Sequence, residues 1–288
     1  MMPWYANRRG EKLWYEDEGA GCPVVLVHGW CMSSAVWKYQ FEGFSGSTHD
    51  SYQESSHDSL RLLAPDLRGH GRSRGISGHL NFDSFANDLV DLFDCLELSK
   101  VVLVGWSMGA QIALQSCAEL SGRLAGMALV SATPRFTASD DFPHGLADNE
   151  ASGMRLKMKR NMRRALDGFY TRLFAEGEFE SHSFASEIKQ LLSSIESPDI
   201  AAVLDALDAL TRTDMRHLLA TITIPTLIVN GAQDRICMPQ ASNYLKTHIP
   251  GAEQTVFPHC GHAPFLTHSH QFNAEIIRFA RSISGQNA

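Results

Sequence analysis

Short apolar runs alternate along this chain with longer segments of helical period, and this alternation limits the possible folds more than any other feature. Each run has four to eight residues and ends at turn residues: 24–27, 60–67, 101–104, 124–130, 226–229 and 254–257. Runs of this kind are typical of parallel strands covered on both faces. The clearest amphipathic segments between them are residues 82–96, 108–120 and 272–283. We therefore predict an α/β fold with a mostly parallel, doubly wound sheet.

Two segments interrupt the alternation. Residues 45–59 are rich in Ser, His, Asp and Gln, which predicts a polar surface insertion. From residue 134 to residue 215 the pattern is helical without a convincing strand. We predict that residues 134–215 form a helical cap (lid) over one end of the sheet, and that residues 1–133 and 216–288 form the core.

Composition limits the class of function. The 288 residues include 25 basic and 32 acidic side chains, and this net charge of −7 argues against a nucleic-acid or anionic-membrane binder. No run approaches the roughly 18 apolar residues of a membrane span, and the N-terminus lacks the apolar segment of a secretory signal. Six scattered cysteines form no C-x-x-C pair. We expect reduced thiols, a cytoplasmic location and a monomer.

The strongest motif is Gly105-Trp106-Ser107-Met108-Gly109, which lies between a predicted strand and a predicted helix. G-x-S-x-G in that context is typical of a nucleophile elbow, a strained turn that lifts the serine hydroxyl above the sheet. The flanking glycines let the strand and helix backbones pass closely. Ser107 is therefore the predicted nucleophile.

A serine hydroxyl needs a base, and the base needs a third group that orients it. Asp234 follows the predicted strand 226–229, and His262 lies in a Gly-His loop after the strand 254–257. The order Ser, acid, His is the one that accompanies a nucleophile elbow. We predict that Asp234 orients the imidazole and that His262 transfers the proton.

Other residues could fill these roles. His259 could be the base, but its position at a strand end favours a hydrogen-bonding role. Asp66 also ends a strand but precedes the nucleophile, which favours turn capping. The His-Cys-Gly-His run at 259–262 has no matching ligand pair, so we predict no metal. The His-Asp pairs at 49–50 and 57–58 are interpreted as parts of a solvated loop.

The oxyanion formed during acyl transfer needs preorganised N–H donors. One is expected from Met108, the residue after the nucleophile, at a helix N-terminus. The other is expected from the loop after an early strand, His28-Gly29-Trp30, and we assign it to the Trp30 amide. The Trp30 ring could be a core aromatic or could line the pocket, and His28 is expected to organise the loop.

Together these motifs resemble the α/β-hydrolase superfamily over essentially the whole chain. Three narrower segments, residues 105–109, 134–143 and 261–265, resemble the pimeloyl-[acyl-carrier protein] methyl ester esterases of biotin synthesis. The resemblance implies a serine carboxylesterase without a cofactor. Such an enzyme would cleave the methyl ester from a pimeloyl chain that is still tethered to its carrier protein.

The resemblance also implies a set of substrate contacts. Residues 163–169 are similar to the family's pocket helix, which implies that the residues after it lie beside the acyl chain. The chain departs from the best-known members there, because three of these positions are more polar, and again in the insertion 45–59. The implied contacts are Trp30, Ser107, Met108, Phe169, Tyr170, Thr171, Arg172, Leu173 and His262.

A basic cluster lies in the predicted cap. Residues 155–164 contain six basic and no acidic side chains, so the rest of the chain has 19 basic and 32 acidic residues, a net charge of −13. Such a cluster is a candidate docking surface for an acidic partner, and carrier proteins are acidic as a class. We predict contacts from Arg155, Lys159 and Arg163. The alternative is the solvated face of a lid helix, whose apolar side would carry residues 154, 158, 162, 166, 169 and 173.

Two other functions remain open. The same catalytic residues could serve a broad-specificity carboxylesterase, a lactonase or a carbon–carbon bond hydrolase. A ligand-binding receptor on a hydrolase scaffold would need no turnover, and the intact order Ser107, Asp234, His262 argues against it.

Overall fold

Eight strands and ten α-helices make up the described chain, which in this computed structural model comprises residues 3–44, 59–76, 78, 80–179 and 183–284. The strands are β1 (Trp4–Ala6), β2 (Lys12–Gly19), β3 (Cys22–Val27), β4 (Leu60–Pro65), β5 (Val101–Trp106), β6 (Leu124–Val130), β7 (Thr226–Gly231) and β8 (Glu253–Phe257). The helices are α1 (Lys38–Phe44), α2 (Phe82–Cys95), α3 (Met108–Leu120), α4 (Asp148–Arg160), α5 (Met162–Arg172), α6 (Ala185–Ser194), α7 (Ile200–Arg212), α8 (Pro239–His248), α9 (Pro264–Thr267) and α10 (Ser269–Ser284).

The strands form one sheet in the order β1-β2-β4-β3-β5-β6-β7-β8. The six strands from β4 to β8 in this order pair in parallel, whereas β1 pairs with β2, and β2 with β4, antiparallel. Every residue of β5 and β7 is buried, as expected when helices cover both faces of a sheet. The predicted mostly parallel α/β sheet is confirmed.

The two antiparallel strands, β1 and β2, are absent from the prediction. In β2 the buried residues Leu13 and Tyr15 alternate with more exposed neighbours, and its second half is acidic. A strand near the edge of a sheet needs one apolar face, so it gives a short alternation and not a continuous apolar run. Continuous apolar runs therefore do not predict this strand.

Local signals explain where the central helices begin. Helix α2 begins at a capping box, in which the Asn81 side chain accepts from the Ser84 amide at 2.9 Å and Ser84 Oγ accepts from the Asn81 amide at 3.0 Å. Reciprocal bonds of this kind satisfy amides that lack an intrahelical acceptor. None of the described helices has the combination of length and apolar character that crossing a membrane requires.

Helices α4, α5, α6 and α7 lie between β6 and β7. The described part of this stretch adds no strand to the sheet. Its buried side chains, among them Phe169 and Leu207, belong to the same hydrophobic core as the strands. The division into a core and a cap at residues 134–215 stays a prediction. The predicted insertion falls outside the described residues, apart from its last residue, Ser59.

Candidate active site

Ser107 lies in a strained turn between β5 and α3. Its φ of 56° and ψ of −116° are in a region that residues other than glycine rarely adopt. The Ser107 amide donates to the Val130 carbonyl at 2.9 Å. A Cβ on Gly105 would lie 2.4 Å from the Gly109 carbonyl oxygen, and a Cβ on Gly109 would lie 2.2 Å from the Val27 carbonyl oxygen. The close passage of these backbones requires glycine at both positions, as in a nucleophile elbow.

Asp234 and His262 are buried and bonded to each other. Asp234 Oδ2 lies 2.7 Å from His262 Nδ1, and Oδ1 accepts from the amides of Ile236 at 2.8 Å and Cys237 at 3.0 Å. Because Nδ1 faces a carboxylate, it carries the hydrogen and leaves Nε2 as the acceptor. Nε2 is buried and has no hydrogen-bond partner among the described residues. It is therefore available to take a proton.

Two neighbours connect Ser107 to this pair. Trp106, the preceding residue, donates from Nε1 to the His262 carbonyl at 2.8 Å, and its ring lies 5.5 Å from the imidazole. The Ser107 side chain lies close enough to the thiol of Cys237, three residues after Asp234, to offset part of the rise in its pKa. The structure thus brings the loops of the three predicted residues together at the carboxyl ends of β5, β7 and β8.

The proximity of Cys237 to Ser107 was not predicted, because scattered cysteines without a C-x-x-C pair give no sign of a place at the site. Its position three residues after the acid is the signal that could have revealed it. Burial, assisted by the Asp234 charge, raises the pKa of the Cys237 thiol well above its ordinary value. The group beside Ser107 is therefore a neutral thiol.

The predicted oxyanion donors lie next to Ser107. A Cβ on Gly29 would lie 3.3 Å from Ser107 Cβ, so the loop that carries Trp30 contacts the elbow. Met108 is the first residue of α3, and its amide has no intrahelical acceptor. Within the described ranges, the Trp30 amide donates to no backbone acceptor either. Both amides can serve a developing oxyanion, and their role stays a prediction.

His28 ties this loop to the chain after β4. Its Nε2 accepts from the Leu67 amide at 3.0 Å, and its Nδ1 bonds the Gly29 carbonyl at 2.8 Å. Burial lowers the pKa of His28 to about 4. His70, whose ring lies 5.5 Å from that of His28, has its pKa lowered to about 4 by burial and by the His28 charge. Both imidazoles are neutral at pH 7.

This pair is expected to make the fold sensitive to acid. In the unfolded chain His28 and His70 bind protons below their ordinary pKa of 6.5. In the folded chain the same two histidines stay neutral until the pH falls to about 4. The free energy of unfolding should therefore be highest above pH 6.5 and fall as the pH drops, by about 3 kcal/mol for each histidine at pH 4. Urea unfolding from neutral pH to pH 4 measures this loss.

The variant His70→Asn tests the source of the acid loss. Asn can keep the bond that His70 Nδ1 makes to the Arg68 carbonyl at 3.0 Å, but it does not titrate. We expect it to remove about half of the loss, since one of two titrating groups remains. The exposed His217 provides a control, His217→Asn, that should leave the pH dependence unchanged. An unaltered slope in His70→Asn would contradict the assignment.

The alternative acid and base lie apart from this centre. The Asp66 carboxylate accepts from the amides of Ser34 at 2.6 Å and Arg72 at 2.7 Å, so it holds a turn. His259 is exposed in the turn after β8. The His-Asp pairs at 49–50 and 57–58 lie outside the described residues.

Three of the predicted substrate contacts lie against the loops of the site. The Phe169 ring meets the Trp30 ring edge-on at 5.2 Å. The Leu173 carbonyl accepts from the His262 amide at 2.7 Å. Trp30 itself donates from Nε1 to the Val203 carbonyl at 2.9 Å, which links its ring to α7. Its side chain therefore contacts both α5 and α7.

Arg172 differs from the prediction. Arg172 is exposed and pairs with Glu150 at 3.2 Å, so its side chain lies on the outer surface and not beside the elbow. Tyr170 and Thr171 line a cavity of about 540 Å³ together with Arg235, and the Tyr170 hydroxyl donates to the Cys31 carbonyl, next to Trp30, at 3.5 Å. Their role as substrate contacts stays a prediction. The resemblance implied which segment lies near the substrate but not the neighbours of each side chain.

The predicted docking residues also divide. Lys159 and Arg163 are exposed. Arg155 instead pairs with Asp208 of α7 at 2.7 Å and donates to the Leu204 carbonyl at 3.3 Å. Arg155 thus holds α4 against α7, and we no longer count it as a docking contact. The charge pattern showed where the cation lies and could not show its partner on another helix.

One described cluster has the residue types of a metal site. The potential ligand atoms of Glu178, Cys260 and His268 all lie within 4.8 Å of one another. Thr267 Oγ1 lies among them, at 2.5 Å from Glu178 Oε1, 3.0 Å from His268 Nδ1 and 3.8 Å from Cys260 Sγ. With a hydroxyl between its members, the cluster is a hydrogen-bond network.

Comparisons with known proteins agree with this fold. The family model of the alpha/beta hydrolase fold matches residues 23–269. The chain is 30% identical over 271 residues to a pimeloyl-[acyl-carrier protein] methyl ester esterase of Nitrosospira multiformis, covering 93% of this chain and 98% of that protein. It is 31% identical over 257 residues to the esterase of the same name from Nitrosomonas europaea, covering 89% and 95%.

Solved structures give the same result. The esterase EaEST from Exiguobacterium antarcticum superposes with a TM-score of 0.86 at 25% identity, covering 98% of this chain and 100% of that one. A bromoperoxidase from Bacillus anthracis has a TM-score of 0.84 at 27% identity, covering 96% and 99%.

Proposed function

Since this chain belongs to the α/β-hydrolase fold family and is a carboxylic ester hydrolase, we propose that it hydrolyses the methyl ester of pimeloyl-[acyl-carrier protein] and frees the pimeloyl carboxylate for biotin synthesis. The observation that carries the chemistry is the buried Asp234–His262 pair. His262 Nε2 has no hydrogen-bond partner among the described residues, and the His262 carbonyl accepts from Trp106, the residue before Ser107 in the strained elbow. The relatives that bear this name support the substrate, because the similarity spans nearly their whole length.

In the proposed mechanism Ser107 attacks the ester carbonyl while His262 Nε2 removes its proton. The amides of Met108 and Trp30 hold the oxyanion. His262 then protonates the methoxide oxygen, which leaves as methanol, and a water that His262 activates hydrolyses the acyl-enzyme. Asp234 stays ionised and stabilises the imidazolium. No step needs a cofactor.

The exposed cations Lys159 and Arg163 support a carrier docked on the cap. In that arrangement the ester end of the chain lies deep, at Ser107, and the thioester stays near the mouth. The geometry would thereby spare the more reactive thioester. The six free cysteines fit a reducing compartment, so we place the activity in the cytoplasm, carried out by a monomer.

Reversing charge on the cap tests the docking. We expect the double variant Lys159→Glu, Arg163→Glu to raise KM for carrier-bound substrate about tenfold, because it repels an acidic partner. Added salt should shrink this effect through screening. KM for a small p-nitrophenyl ester should not change.

Lys12→Glu is the matched control, since Lys12 is an exposed lysine on β2, away from the cap helices. It should leave KM for both substrates unchanged. Equal losses on carrier-bound and small substrates in the cap variant would refute docking at Lys159 and Arg163.

The function itself is tested with purified enzyme and methyl-pimeloyl carrier protein, followed by intact-mass spectrometry. The expected result is loss of the mass of one CH₂ group, with the carrier still acylated and no such loss with Ser107→Ala. Release of the acyl chain from the carrier, or no reaction, would overturn the proposed substrate.

A broad-specificity carboxylesterase with the same catalytic residues is the second candidate, favoured by the likeness to EaEST. A panel of free methyl esters of different chain length separates the two. The carrier-specific enzyme should have a higher kcat/KM for the carrier-bound ester than for any free ester. Equal values would favour the second candidate.

A further inference from the structure

Glu178 is a buried carboxylate outside the predicted catalytic residues. Its side chain is only 3% exposed. Oε2 accepts from the amides of Ala175 at 2.6 Å and Gly261 at 2.7 Å, and Oε1 accepts from Thr267 Oγ1 at 2.5 Å. A buried carboxylate is tolerated when donors replace its hydration, and these three do so.

Two of these donors enclose the His262 loop. Gly261 immediately precedes His262, and Thr267 ends α9, the short helix that follows it. Glu178 therefore holds the chain both before and after His262. Glu178 itself lies in the stretch of chain between α5 and α6. We name residues 173–178 of that stretch the clamp segment.

The clamp segment and the His262 loop fit closely. The His262 amide donates to the Leu173 carbonyl at 2.7 Å, next to the bond from the Gly261 amide to Glu178. A Cβ on Gly261 would lie 2.6 Å from the Leu173 carbonyl oxygen and 2.7 Å from the Ala175 amide nitrogen. Two successive amides of the loop are thus bonded to the clamp segment, and glycine at 261 permits the contact.

We propose that Glu178 is a positioning residue for His262: it fixes the backbone of the histidine loop so that Nε2 stays in line with Ser107 while Asp234 holds Nδ1. The inference rests on the proposed role of His262. A misplacement of about 1 Å can cost about 100-fold in rate, so a loop held from one side only would lower turnover. The Trp106 bond to the His262 carbonyl supplies the other side.

The test measures kcat and KM for a small p-nitrophenyl ester, which avoids the carrier surface. We expect Glu178→Ala to lower kcat about 30-fold, because the chain around His262 loses its two bonds to the carboxylate, with KM changed less than about twofold. Folded enzyme is assayed well below its thermal transition. Loss of folded protein alone would lower the active fraction and leave kcat per folded molecule unchanged.

The conservative variant Glu178→Gln separates position from charge. Its oxygen can accept from both amides, and the Thr267 hydroxyl can rotate to accept from its NH₂ group. We therefore expect kcat within about fivefold of wild type. If Gln were as damaging as Ala, the charge would be the active feature and the positioning role would be overturned.

Asp91 supplies a matched control. Its buried carboxylate also caps a backbone amide, that of Arg8 at 2.8 Å, but it lies on α2. Asp91→Asn should lower stability and leave kcat unchanged. An equal fall in kcat in Asp91→Asn and Glu178→Ala would show a general effect of destabilisation and overturn the proposal.

Hydrogen exchange gives a readout that does not depend on turnover. The amides of Gly261 and His262 should exchange faster in Glu178→Gln and much faster in Glu178→Ala, while those of the Asp234 turn keep their rates. Unchanged exchange would overturn the proposal. A metal ion bound stoichiometrically by the wild type and lost in the Glu178 variants would overturn it as well. If the wild-type enzyme were inactive on every ester while the variants still showed these changes in exchange, the result would count against the proposed function and not against the positioning of the loop.

Discussion

Ser107→Ala is expected to lower kcat about 10⁶-fold, the loss seen when the nucleophile of the serine protease subtilisin is removed. Without Oγ no acyl-enzyme forms, and only the oxyanion donors and substrate binding can assist water. The elbow backbone should persist, because its bonds use the Ser107 amide and not its side chain. Steady-state hydrolysis of a p-nitrophenyl ester and labelling by a fluorophosphonate measure the effect, and both should be lost.

Ser131→Ala is the matched control. Ser131 is buried, has a positive φ of 46° where Ser107 has 56°, and follows β6, the strand next to β5. Its hydroxyl has no assigned role, so the variant should hydrolyse the ester at the wild-type rate. If Ser107→Ala kept its activity, or Ser131→Ala lost as much, Ser107 would not be the nucleophile.

Asp234→Asn is expected to lower kcat about 10⁴-fold at neutral pH, as the equivalent change does in the chymotrypsin-type triad. An Asn oxygen can still accept from the Ile236 and Cys237 amides, so the turn should remain. Its NH₂ group would face His262 Nδ1 and favour the tautomer that carries the hydrogen on Nε2. That tautomer cannot take the proton of Ser107. Single-turnover kinetics should place the loss in acylation.

Asp214→Asn controls for the local turn. Asp214 Oδ1 accepts from the amide two residues later, that of Arg216 at 3.1 Å, as Asp234 does from Ile236. Its ionic partners are arginines and not a histidine. The variant should keep kcat. A large loss in Asp66→Asn together with a small one in Asp234→Asn would show that the acid is misassigned.

Local signals account for what could be predicted of the fold. The run before Ser107, the glycines around it and the helix after it are encoded within a few residues, so β5, the elbow and α3 follow from the sequence. The positions of Ser107, Asp234 and His262 after β5, β7 and β8 then place these residues at the carboxyl ends of the parallel strands. Strand β2 was not predicted, because its pattern is a short alternation and its pairing with β4 is a long-range contact.

Contacts between distant segments account for the rest. No local pattern marks Glu178, because its proposed role depends on a bond from the amide of Gly261, which lies more than eighty residues later along the chain. Arg155 and Arg172 have the charge expected of contact residues, but their partners on α7 and α4 occupy them. A periodic pattern shows which residues share a face and does not show what that face meets.

The steric confinement of Gly105 and Gly109 has a consequence for engineering. Any side chain at either position would collide with backbone atoms, which cannot rotate away. Mutant libraries meant to change substrate range should therefore leave the elbow intact and randomise surface positions of α4 and α5. Such libraries should yield more folded, catalytically competent clones than libraries that include the two glycines.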